Sequence, residues 1–401
     1  MKTINTISIG LISLLFAATC MQAAEPSAST APKTEWQNIT AELCKTLGLG
    51  EGKNKDGSPF KPGDYRLQFH GMFVLPNGDV AMLTDSKKGI YRSSDQGATW
   101  AKYGEDWMTG LAQSSQSLKI YYPDRIALTL DGPIAVSSDL GKTWVKVKDS
   151  RPKQTIGCGD MDLAVNMPPK VILGAAHHGD LAGGMYALTS DGGTTWDWAP
   201  SPLKETKPHM RCGVVNATTL LRASEPDKKG APTPGISRSS DLGKTWTKVS
   251  DYALHGMYPV HYGPNIYWTA KEGVVVSRDD GKTWSVYGTP DDGINFGPYF
   301  GKSEQEMMVV VSDKGYYTTR NGGQSWTLAA PFFNPHDGWE FPTQLSAGSP
   351  RKEPKHWGGG AWCFGWDSER NIIYASCFAG NAWKLQLGST PASGSGKADK
   401  K

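Results

Sequence analysis

The sequence predicts an all-β protein, a seven-bladed β-propeller whose ring is closed by an N-terminal strand. Three observations lead to this fold class. An octapeptide recurs six times, a dipeptide ending in glycine recurs with a similar period, and 47 glycines and 15 tryptophans occur among 401 residues. Glycine gives tight turns their backbone freedom and large aromatic residues favour strands, so this composition is typical of many short strands joined by hairpins.

The octapeptide has the pattern Ser/Thr-x-Asp-x-Gly-x-Thr-Trp, with copies that begin at residues 93, 137, 189, 239, 277 and 319, the last carrying Asn321 in place of Asp. Their tryptophans are 44, 52, 50, 38 and 42 residues apart, a period that indicates a solenoid or a propeller. We expect a hairpin turn in which the Asp accepts backbone hydrogen bonds, the glycine adopts a positive φ and the tryptophan covers the turn. A calcium loop is the alternative for the copy SRDDGKTW, although its later ligand positions are missing.

The second repeat gives the number of units. A dipeptide ending in glycine stands 28 to 37 residues before each octapeptide tryptophan, and a seventh, at Gly365, has no octapeptide after it. Glycine inside a strand marks close backbone approach, which crowding around a central axis requires. The segment KTEWQNIT, residues 33–40, is similar to the strand KTWTKVS after an octapeptide. We therefore expect the N-terminal strand to complete the seventh blade and close the ring.

The octapeptides resemble the Asp-box (BNR) repeats of the sialidase superfamily and related propellers, over about residues 33–387. The resemblance implies a propeller but no activity, because Asp boxes occur in enzymes and in non-enzymes. In YRLQFHGMFVLPNGD, Arg66 resembles the arginine of the sialidase Arg-Ile-Pro motif, but Leu67 and Gln68 replace Ile-Pro. Sialidase propellers also have six blades, so true sialidase activity is not expected.

The predicted blades present two different faces. We number the strands of a blade from the axis outwards. The octapeptide turns and the turns between first and second strands share one face, which we expect to be structural. The longer, more varied connections share the other face, where function is expected. Seven of the eight histidines, all except His261, fall in these connections or at the start of a first strand; the plainer explanation is that polar residues favour loops.

The predicted catalytic residues are His70, His255, Arg211 and Asp160. His70 and His255 occupy equivalent positions in blades one and five, and imidazoles titrate near neutral pH, which suits general acid or base catalysis. Arg211 and Asp160 adjoin the glycine dipeptides of blades four and three, and an arginine there can hold a carboxylate through two hydrogen bonds. The alternatives are histidines that line the channel and a structural ion pair between Arg211 and Asp160.

The predicted substrate-binding residues are Arg66, His177, His178, His336, Trp339 and Trp362. The two adjacent histidines belong to the loop AHHGDLAGG, and the next two residues to a long insertion over residues 328–361. Loops of this length are usually functional or disordered, and the aromatic content argues against disorder. Exposed rings there suit stacking on sugars. The alternative is that the aromatic residues of the insertion, including Phe332 and Phe333, clamp the ring closed.

The net charge of the chain and the features of its N-terminal residues narrow the expected location of the protein and its expected partners. A formal net charge of +3 gives no indication of a nucleic-acid partner or a membrane-surface partner. Lys2, an apolar stretch at residues 7–18 and small residues at Ala23 and Ala24 are typical of a signal peptide; lipoprotein anchoring through Cys20 is less favoured. We predict a periplasmic or secreted monomer without membrane insertion, with a signal peptide at 1–24, a linker at 25–32, the propeller at 33–387 and a disordered tail at 388–401.

Cysteine content predicts neither a metal site nor a cofactor. Six cysteines become five once Cys20 is removed with the signal peptide, and no C-x-x-C spacing occurs. Cys158 and Cys212 are equivalent residues of neighbouring blades, favoured as buried small residues over a disulfide. Cys363 and Cys377, on adjacent strands, are an alternative disulfide pair.

The predicted function is action on carbohydrate, as a glycoside hydrolase or polysaccharide lyase, through a histidine-rich pocket at the mouth of the central channel. A set of histidine, tyrosine and arginine can remove the proton beside a uronate carboxylate while the arginine neutralises the acid. The alternatives are a non-catalytic propeller that binds glycan or protein, and an assembly or stability factor, since photosystem-associated Asp-box propellers have the same blade number.

Overall fold

The structure is a computed structural model that describes residues 35–47, 69–84, 89–108, 118–129, 134–147, 160–163, 170–175, 186–195, 197–199, 211–224, 235–254, 259–290, 294–311, 314–333, 361–377 and 382–388. These residues belong to one compact unit, Glu35–Lys401. They form 28 strands and one six-residue helix, which confirms the prediction of an all-β protein. Among them, no helix is both long enough and apolar enough to cross a membrane.

The elements follow one another in sets. The N-terminal segment gives β1 (Gln37–Asn38) and α1 (Ala41–Thr46). Set one comprises β2 (Phe69–Val74), β3 (Val80–Thr84), β4 (Ile90–Ser93) and β5 (Ala101–Tyr103). Set two comprises β6 (Leu118–Tyr122), β7 (Arg125–Thr129), β8 (Ile134–Ser137) and β9 (Val145–Val147). Set three comprises β10 (Asp160–Leu163), β11 (Ile172–Ala175), β12 (Tyr186–Thr189) and β13 (Asp197–Ala199).

The second half of the chain repeats this organisation. Set four comprises β14 (Arg211–Val214), β15 (Leu220–Ser224), β16 (Gly235–Ser239) and β17 (Thr247–Ser250). Set five comprises β18 (Val260–Tyr262), β19 (Asn265–Ala270), β20 (Gly273–Ser277) and β21 (Ser285–Gly288). Set six comprises β22 (Ile294–Phe300), β23 (Met307–Val311), β24 (Gly315–Thr319) and β25 (Thr327–Pro331). Set seven comprises β26 (Ala361–Asp367), β27 (Ile372–Cys377) and β28 (Ala382–Gln386), together with β1.

Within each set the strands pair antiparallel, and neighbours in the sheet are neighbours in the chain except in set seven. There β1 pairs with β28, so that Gln37 lies opposite Lys384 and Asn38 lies opposite Trp383. Sets two and five are joined by a parallel pairing of β6 with β18. The sheets of the described residues are therefore five with four strands and one with eight.

Burial depends on the position of a strand within its set. All residues of β3, β20 and β23 are buried, and these strands consist largely of Val, Met and other apolar residues. The fourth strands β5 and β9 bury only their last residue and expose Lys102 and Lys146. A lysine on an outer strand disfavours pairing with the edge of another chain. The fourth strands are thus the outer edges of the sets.

The hydrophobic core of the described residues is divided into seven clusters, each formed mainly by two sets. Leu83 of set one packs with Ile126 and Leu128 of set two. Five further clusters join sets two and three, three and four, four and five, five and six, and six and seven. The seventh cluster joins set seven to set one through residues such as Tyr374 and Met72.

The N-terminal segment is held between sets seven and one. Ile39 and Leu43 are buried in the cluster that these two sets share. The Ile39 N–H donates to the Ala382 carbonyl (2.9 Å), and the Ala382 N–H donates to Thr40 Oγ1 (3.1 Å). From set one, Trp100 Nε1 donates to the Ile39 carbonyl (3.1 Å). The segment therefore bonds to the last set and to the first.

Candidate functional site

The octapeptides form hydrogen-bonded hairpin turns. In the turn at residues 137–144, Ser137 Oγ donates to Asp139 Oδ1 (2.8 Å) and accepts from Gly141 N (2.7 Å). Asp139 also accepts from Thr143 N (2.9 Å) and Thr143 Oγ1 (2.7 Å). The same four bonds occur in the turns around Asp95, Asp191, Asp241 and Asp279. The prediction of Asp-centred hairpin turns is confirmed.

The sixth turn is a neutral version of the other five. Asn321 Oδ1 accepts from Thr319 Oγ1 (3.0 Å) and from Ser325 N (3.0 Å), as a carboxylate oxygen does elsewhere. Its Nδ2 donates to Ser325 Oγ (2.8 Å). The Ser325 hydroxyl therefore accepts a hydrogen bond from the side chain of residue 321. In the other five turns the corresponding threonine hydroxyl donates a hydrogen bond to the aspartate. The geometry of the turn is kept without a charge.

Hydrogen bonds lower the pKa of the turn carboxylates. Bonds from the hydroxyl and N–H of Thr99 and from Ser93 lower the pKa of Asp95 to about 2, and the equivalent bonds lower the pKa of Asp241 to about 2. These bonds favour the charged form. The carboxylates are ionised near neutral pH and are engaged within their own turns. Within the described residues, no group of three or more His, Cys, Asp or Glu side chains is arranged to hold a metal ion.

The turns between first and second strands lie beside the octapeptide turns. The Leu140 N–H donates to the Asp124 carbonyl (3.0 Å), and the Leu242 N–H donates to the Thr218 carbonyl (3.1 Å). In set six, the Gly322 N–H donates to Gln305 in the same way (3.0 Å). The prediction that both kinds of turn share one side of a set is confirmed. We call this side the turn side.

Arginines of the octapeptides join neighbouring sets on the turn side. Arg320 donates to Glu306 Oε1 (2.7 Å) and to the Ser368 carbonyl of set seven (2.7 Å). Its guanidinium also lies over the Trp366 ring, 4.9 Å from the centroid. These contacts hold Arg320 in a structural role, as its position within an octapeptide predicts.

A second polar junction joins sets five and six. Glu304 Oε1 accepts from Asn265 Nδ2 (2.6 Å), from the Tyr267 hydroxyl and from Arg278 Nη1 (3.4 Å). Burial, reinforced by the hydrogen bond to Glu304, raises the pKa of Tyr267 well above its usual value. This tyrosine therefore stays protonated and serves as a donor. No sequence pattern predicts this cluster, because its residues come from different strands and turns.

The starts of the first strands lie at the end opposite the turn side, because each first strand ends at a turn of that side. Four predicted site residues occupy such starts: His70 is the second residue of β2, Asp160 the first of β10, Arg211 the first of β14 and Trp362 the second of β26. The structure describes these positions in the backbone, and their side chains lie outside the described part. We call this end the strand-start side.

First strands of neighbouring sets adjoin one another, which relates these positions in space. β10 lies beside β14, and β26 lies beside both β2 and β22. The starts that carry Asp160 and Arg211 therefore belong to adjoining strands, as do those that carry Trp362 and His70. The other predicted site residues, His255, Arg66, His177, His178, His336 and Trp339, lie outside the described residues.

The parallel pairing of β6 with β18 was not predicted from the sequence. His261 lies opposite Tyr121 and Tyr262 opposite Tyr122, and the Gly263 N–H donates to the Tyr122 carbonyl (2.9 Å). The rings of Tyr121 and His261 are 5.5 Å apart, and His261 is buried. His261, the histidine expected to lie away from the site, thus belongs to a contact between the inner strands of sets two and five.

The first aromatic residues of the long insertion pack against the sheets. The ring of Phe332 stacks on Tyr316 at 6.2 Å, and Phe333 contacts Trp36 and Trp383. Both phenylalanines belong to the cluster between sets six and seven. The rings of these two residues are therefore engaged in packing between sets six and seven.

Cys44, Cys212 and Cys363 lie in or against the hydrophobic clusters. Cys212 is buried in the cluster between sets three and four, as its interpretation as a small buried residue predicts. Cys363 lies opposite Ser376 in the register of β26 with β27, whereas Cys377 lies opposite Ala361. Burial raises the pKa of the Cys44 thiol to about 11, which disfavours the thiolate.

No family model matches this sequence, and no curated protein matches it. Solved structures do show similarity. YCF48 bound to D1 peptide is 12% identical, with 81% of this chain and 95% of that chain covered and a TM-score of 0.41. A GH74 enzyme from Niastella koreensis is 16% identical, with 89% and 54% covered and a TM-score of 0.43.

A further similar structure is the extracellular domain of a putative one-component system from B. thetaiotaomicron. It is 10% identical, with 88% of this chain and 42% of that chain covered and a TM-score of 0.44. The chain spans about half the length of this protein and of the GH74 enzyme, and nearly all of the YCF48 chain.

Proposed function

We propose that the chain is an exported seven-bladed β-propeller of the Asp-box type that acts on acidic carbohydrate. Its site lies on the strand-start side, and its activity is that of a polysaccharide lyase or glycoside hydrolase. The observation that carries this proposal is the difference in polar residues between the turn side and the strand-start side. The turn side uses its carboxylates and arginines in hydrogen bonds that hold the fold together, whereas the starts of four inner strands carry a histidine, an aspartate, an arginine and a tryptophan.

The seven sets are the blades of one ring in this proposal. A Cβ on Gly141 of set two would overlap Tyr103 of β5, and one on Gly323 of set six would lie 2.6 Å from the Tyr287 carbonyl of β21. These two turns thus pack on the fourth strand of the preceding set. A Cβ on Gly97 of set one would overlap Ile39, just after β1. This equivalence supports β1 as the fourth strand of a seventh blade that precedes the first.

The roles of the catalytic residues follow from their chemistry. His70 and His255 act as general base and general acid at the mouth of the ring. Arg211 binds the substrate carboxylate through two hydrogen bonds and stabilises the negative charge that develops beside it when a proton is removed. Asp160, on the adjoining strand, orients Arg211. No cofactor takes part in the proposed reaction.

The remaining predicted residues bind the glycan around this centre. Trp362 and Trp339 supply planar rings for stacking, and Arg66, His177, His178 and His336 supply hydrogen bonds. A glycan or glycoconjugate outside the cytoplasm suits a chain that begins with the features of a signal peptide. We propose a periplasmic or secreted monomer whose propeller spans residues 33–387.

The test uses the full chain with a panel of polygalacturonate, alginate and hyaluronate, and a neutral glucan for comparison. Absorbance of the unsaturated product reports a lyase, and new reducing ends without that absorbance report a hydrolase. We expect turnover of an acidic polymer. His70→Ala lowers the rate by about 10²- to 10⁴-fold, the range typical of a lost general acid or base. Arg211→Ala lowers it by about 10²- to 10³-fold, the range typical of a lost group that stabilises developing charge.

Asp139→Ala is the matched control, because Asp139 is a carboxylate of the turn side. It lowers the melting temperature and leaves the rate of the folded fraction unchanged. A wild-type chain that neither cleaves nor binds any member of the panel contradicts the proposal. Equal rate losses in folded Asp139→Ala and His70→Ala contradict the assignment to the strand-start side.

A non-catalytic glycan-binding propeller is the second candidate, and the β6–β18 pairing favours it. Phe300 lies 5.1 Å from Tyr122 and 5.0 Å from Tyr262, so aromatic rings occupy the space beside these inner strands. When aromatic side chains fill the space between the inner strands, the pocket for a substrate is shallower. Catalytic side chains that must converge on one bond of the substrate then have less room. Binding of a polymer by the wild type without turnover, measured by affinity electrophoresis, would select this candidate.

A further inference from the structure

Lys119 is a charged residue on an inner strand. It is the second residue of β6, as His70 is of β2 and Trp362 is of β26. The side chain of Lys119 belongs to the described part of the structure, and it is half-buried. The sequence repeat did not point to this lysine, because the glycine dipeptide assigned to set two, Thr109-Gly110, comes before β6 begins.

The register of β6 fixes the direction of the Lys119 side chain. Lys119 lies opposite Ala127 of β7, and directly opposed residues of an antiparallel pair share a face of the sheet. Ala127 is fully buried in the cluster of sets two and three. Tyr121 belongs to the same cluster, and residues two apart on a strand also share a face. Lys119 therefore points towards set three.

Lys119 occupies the part of this face that is nearer the strand-start side. β6 ends at Tyr122, and the turn that follows it contacts an octapeptide turn through the Asp124 carbonyl. Among the described residues, only Tyr121 and Tyr122 of β6 pair with β18, so this pairing fastens the turn-side end of the strand. Lys119 lies about 6–7 Å further towards the start. A half-buried lysine packs its stem and keeps its ammonium group in water, here at the opening between sets two and three.

The next two sets carry charged residues at the equivalent end. β10 of set three starts at Asp160 and adjoins β14 of set four, which starts at Arg211. The starts of three successive inner strands thus carry a lysine, an aspartate and an arginine. Two cations and one carboxylate leave a positive charge there, and a positive charge attracts an acidic polymer.

From this arrangement we propose that Lys119 is a further substrate-binding residue, which binds a second carboxylate of the polymer whose first carboxylate Arg211 binds. This inference rests on the proposed function. The ammonium group of lysine is a compact charge on a flexible stem, so it suits a carboxylate whose orientation varies along a polymer. The substrate then carries at least two uronates within reach of neighbouring sets.

The first test compares the kinetics of wild type, Lys119→Met, Lys119→Arg and Lys142→Met on the acidic polymer that the wild type cleaves. Lys142 is the matched control, because it is an exposed lysine of the same set in an octapeptide turn. We expect Lys119→Met to raise KM by about 10- to 10²-fold, the loss typical of a hydrogen bond to a charged group. The value of kcat stays unchanged, because a contact that is equal in the ground and transition states affects KM alone.

The charge-conserving variant and the control complete this comparison. Lys119→Arg recovers most of the affinity, and Lys142→Met behaves as wild type. Melting curves identify variants that do not fold, and Lys119→Gln then replaces Lys119→Met. If the wild type binds the polymer without cleaving it, the Kd from calorimetry takes the place of KM.

The second test separates direct contact from a structural role of the lysine. Wild type is acetylated with a limiting amount of acetic anhydride, with and without the polymer, and the modified lysines are identified by mass spectrometry. Bound polymer should protect Lys119 and leave Lys142 as reactive as in the free protein.

Three outcomes overturn the inference and leave the proposed function standing. One is a folded Lys119→Met variant with the KM of wild type. Another is an equal rise of KM in Lys119→Met and Lys142→Met, which indicates attraction by net charge alone. The third is a Lys119 that bound polymer does not protect. A wild type that neither cleaves nor binds an acidic polymer is a different result, because it removes the proposed function itself.

Discussion

The indole ring of Trp36 stacks on the phenyl ring of Phe333, with centroids 4.3 Å apart and planes inclined by 15°. Trp36 immediately precedes β1, and Phe333 follows β25 by two residues. The same phenyl ring contacts Trp383 of β28 at 6.0 Å, and the indole contacts Tyr316 of β24 at 5.7 Å. Aromatic contacts therefore fasten the N-terminal segment to sets six and seven together.

Trp36→Ala and Phe333→Ala should each lower the free energy of unfolding by about 2 kcal/mol, less than for a fully buried ring because both are half-buried. The double variant should lose about 1 kcal/mol less than the sum, which is the coupling of a stacked pair. Equilibrium urea denaturation measures all three. Leu328→Ala is the control, because Leu328 is 50% exposed. Strict additivity would show that the two rings do not stabilise each other.

Gly97→Ala should loosen the N-terminal segment. Gly97 has φ +92, and its Cβ would overlap the Ile39 side chain. Gly263 is the matched control, because it has φ +55 with nothing within 4 Å of an added Cβ. Both variants should lose about 1–2 kcal/mol from the left-handed backbone, and Gly97→Ala should lose more through the overlap.

Limited trypsin digestion separates the two glycine variants. Lys45 of α1 is exposed, and cleavage after it should be faster in Gly97→Ala than in wild type and unchanged in Gly263→Ala. Equal digestion of both variants would mean that the turn of set one does not hold the segment.

The octapeptide turns could be predicted because their interactions are local. Ser137, Asp139, Gly141 and Thr143 bond within seven residues of sequence, so the pattern of residue types determines the geometry. The N-terminal strand was predictable for a related reason, since residues 33–40 are similar to the strand that follows an octapeptide. The repeat made it possible to predict the pairing of β1 with the distant β28 by comparing two short segments of sequence.

The β6–β18 pairing and the Glu304 cluster could not be predicted in this way. Tyr122 and Tyr262 are 140 residues apart in the chain, and neither belongs to a repeated pattern. The packed role of Phe333 was left open, because composition shows that a segment is aromatic but not which surface it covers. The predicted roles of His70 and Arg211 depend on side chains beyond the described part, and the structure supports only their position at strand starts.

Arg320→Lys should destabilise the junction of sets six and seven by about 1 kcal/mol. The guanidinium contacts Glu306, the Ser368 carbonyl and the Trp366 ring at once, and an ammonium group does not reproduce this planar geometry. Lys45→Arg is the control, because it makes the reverse exchange in an exposed pair, Lys45–Glu42, that is 4.0 Å long. Chemical denaturation reports both variants, and equal stability of the two would remove the role assigned to Arg320.

The turn carboxylates should make the stability of the fold depend on pH in the acidic range. The pKa values of Asp95, Asp139, Asp191 and Asp241 are lowered from 3.8 to about 2 by hydrogen bonds to the charged form. Because the pKa of each carboxylate is lower in the folded chain than in the unfolded chain, the unfolded chain binds the proton more tightly. The contribution of each carboxylate is fully present above about pH 4 and is lost as the pH falls towards 2. The melting temperature of wild type should fall over this range.

Asn321 offers a direct test of this dependence, because it is the neutral member of the series. In Asn321→Asp the Ser325 hydroxyl can rotate to donate, as Thr143 Oγ1 donates to Asp139, and the hydrogen bonds to the side chain at position 321 become charge-assisted. We expect a higher melting temperature at pH 7 and a larger fall between pH 4 and pH 2. Asp139→Asn is the reciprocal variant and should show the opposite changes, since it turns a charged turn into a neutral one. Melting curves from pH 2 to pH 7 that run parallel for wild type, Asn321→Asp and Asp139→Asn would mean that these carboxylates do not link folding to protonation.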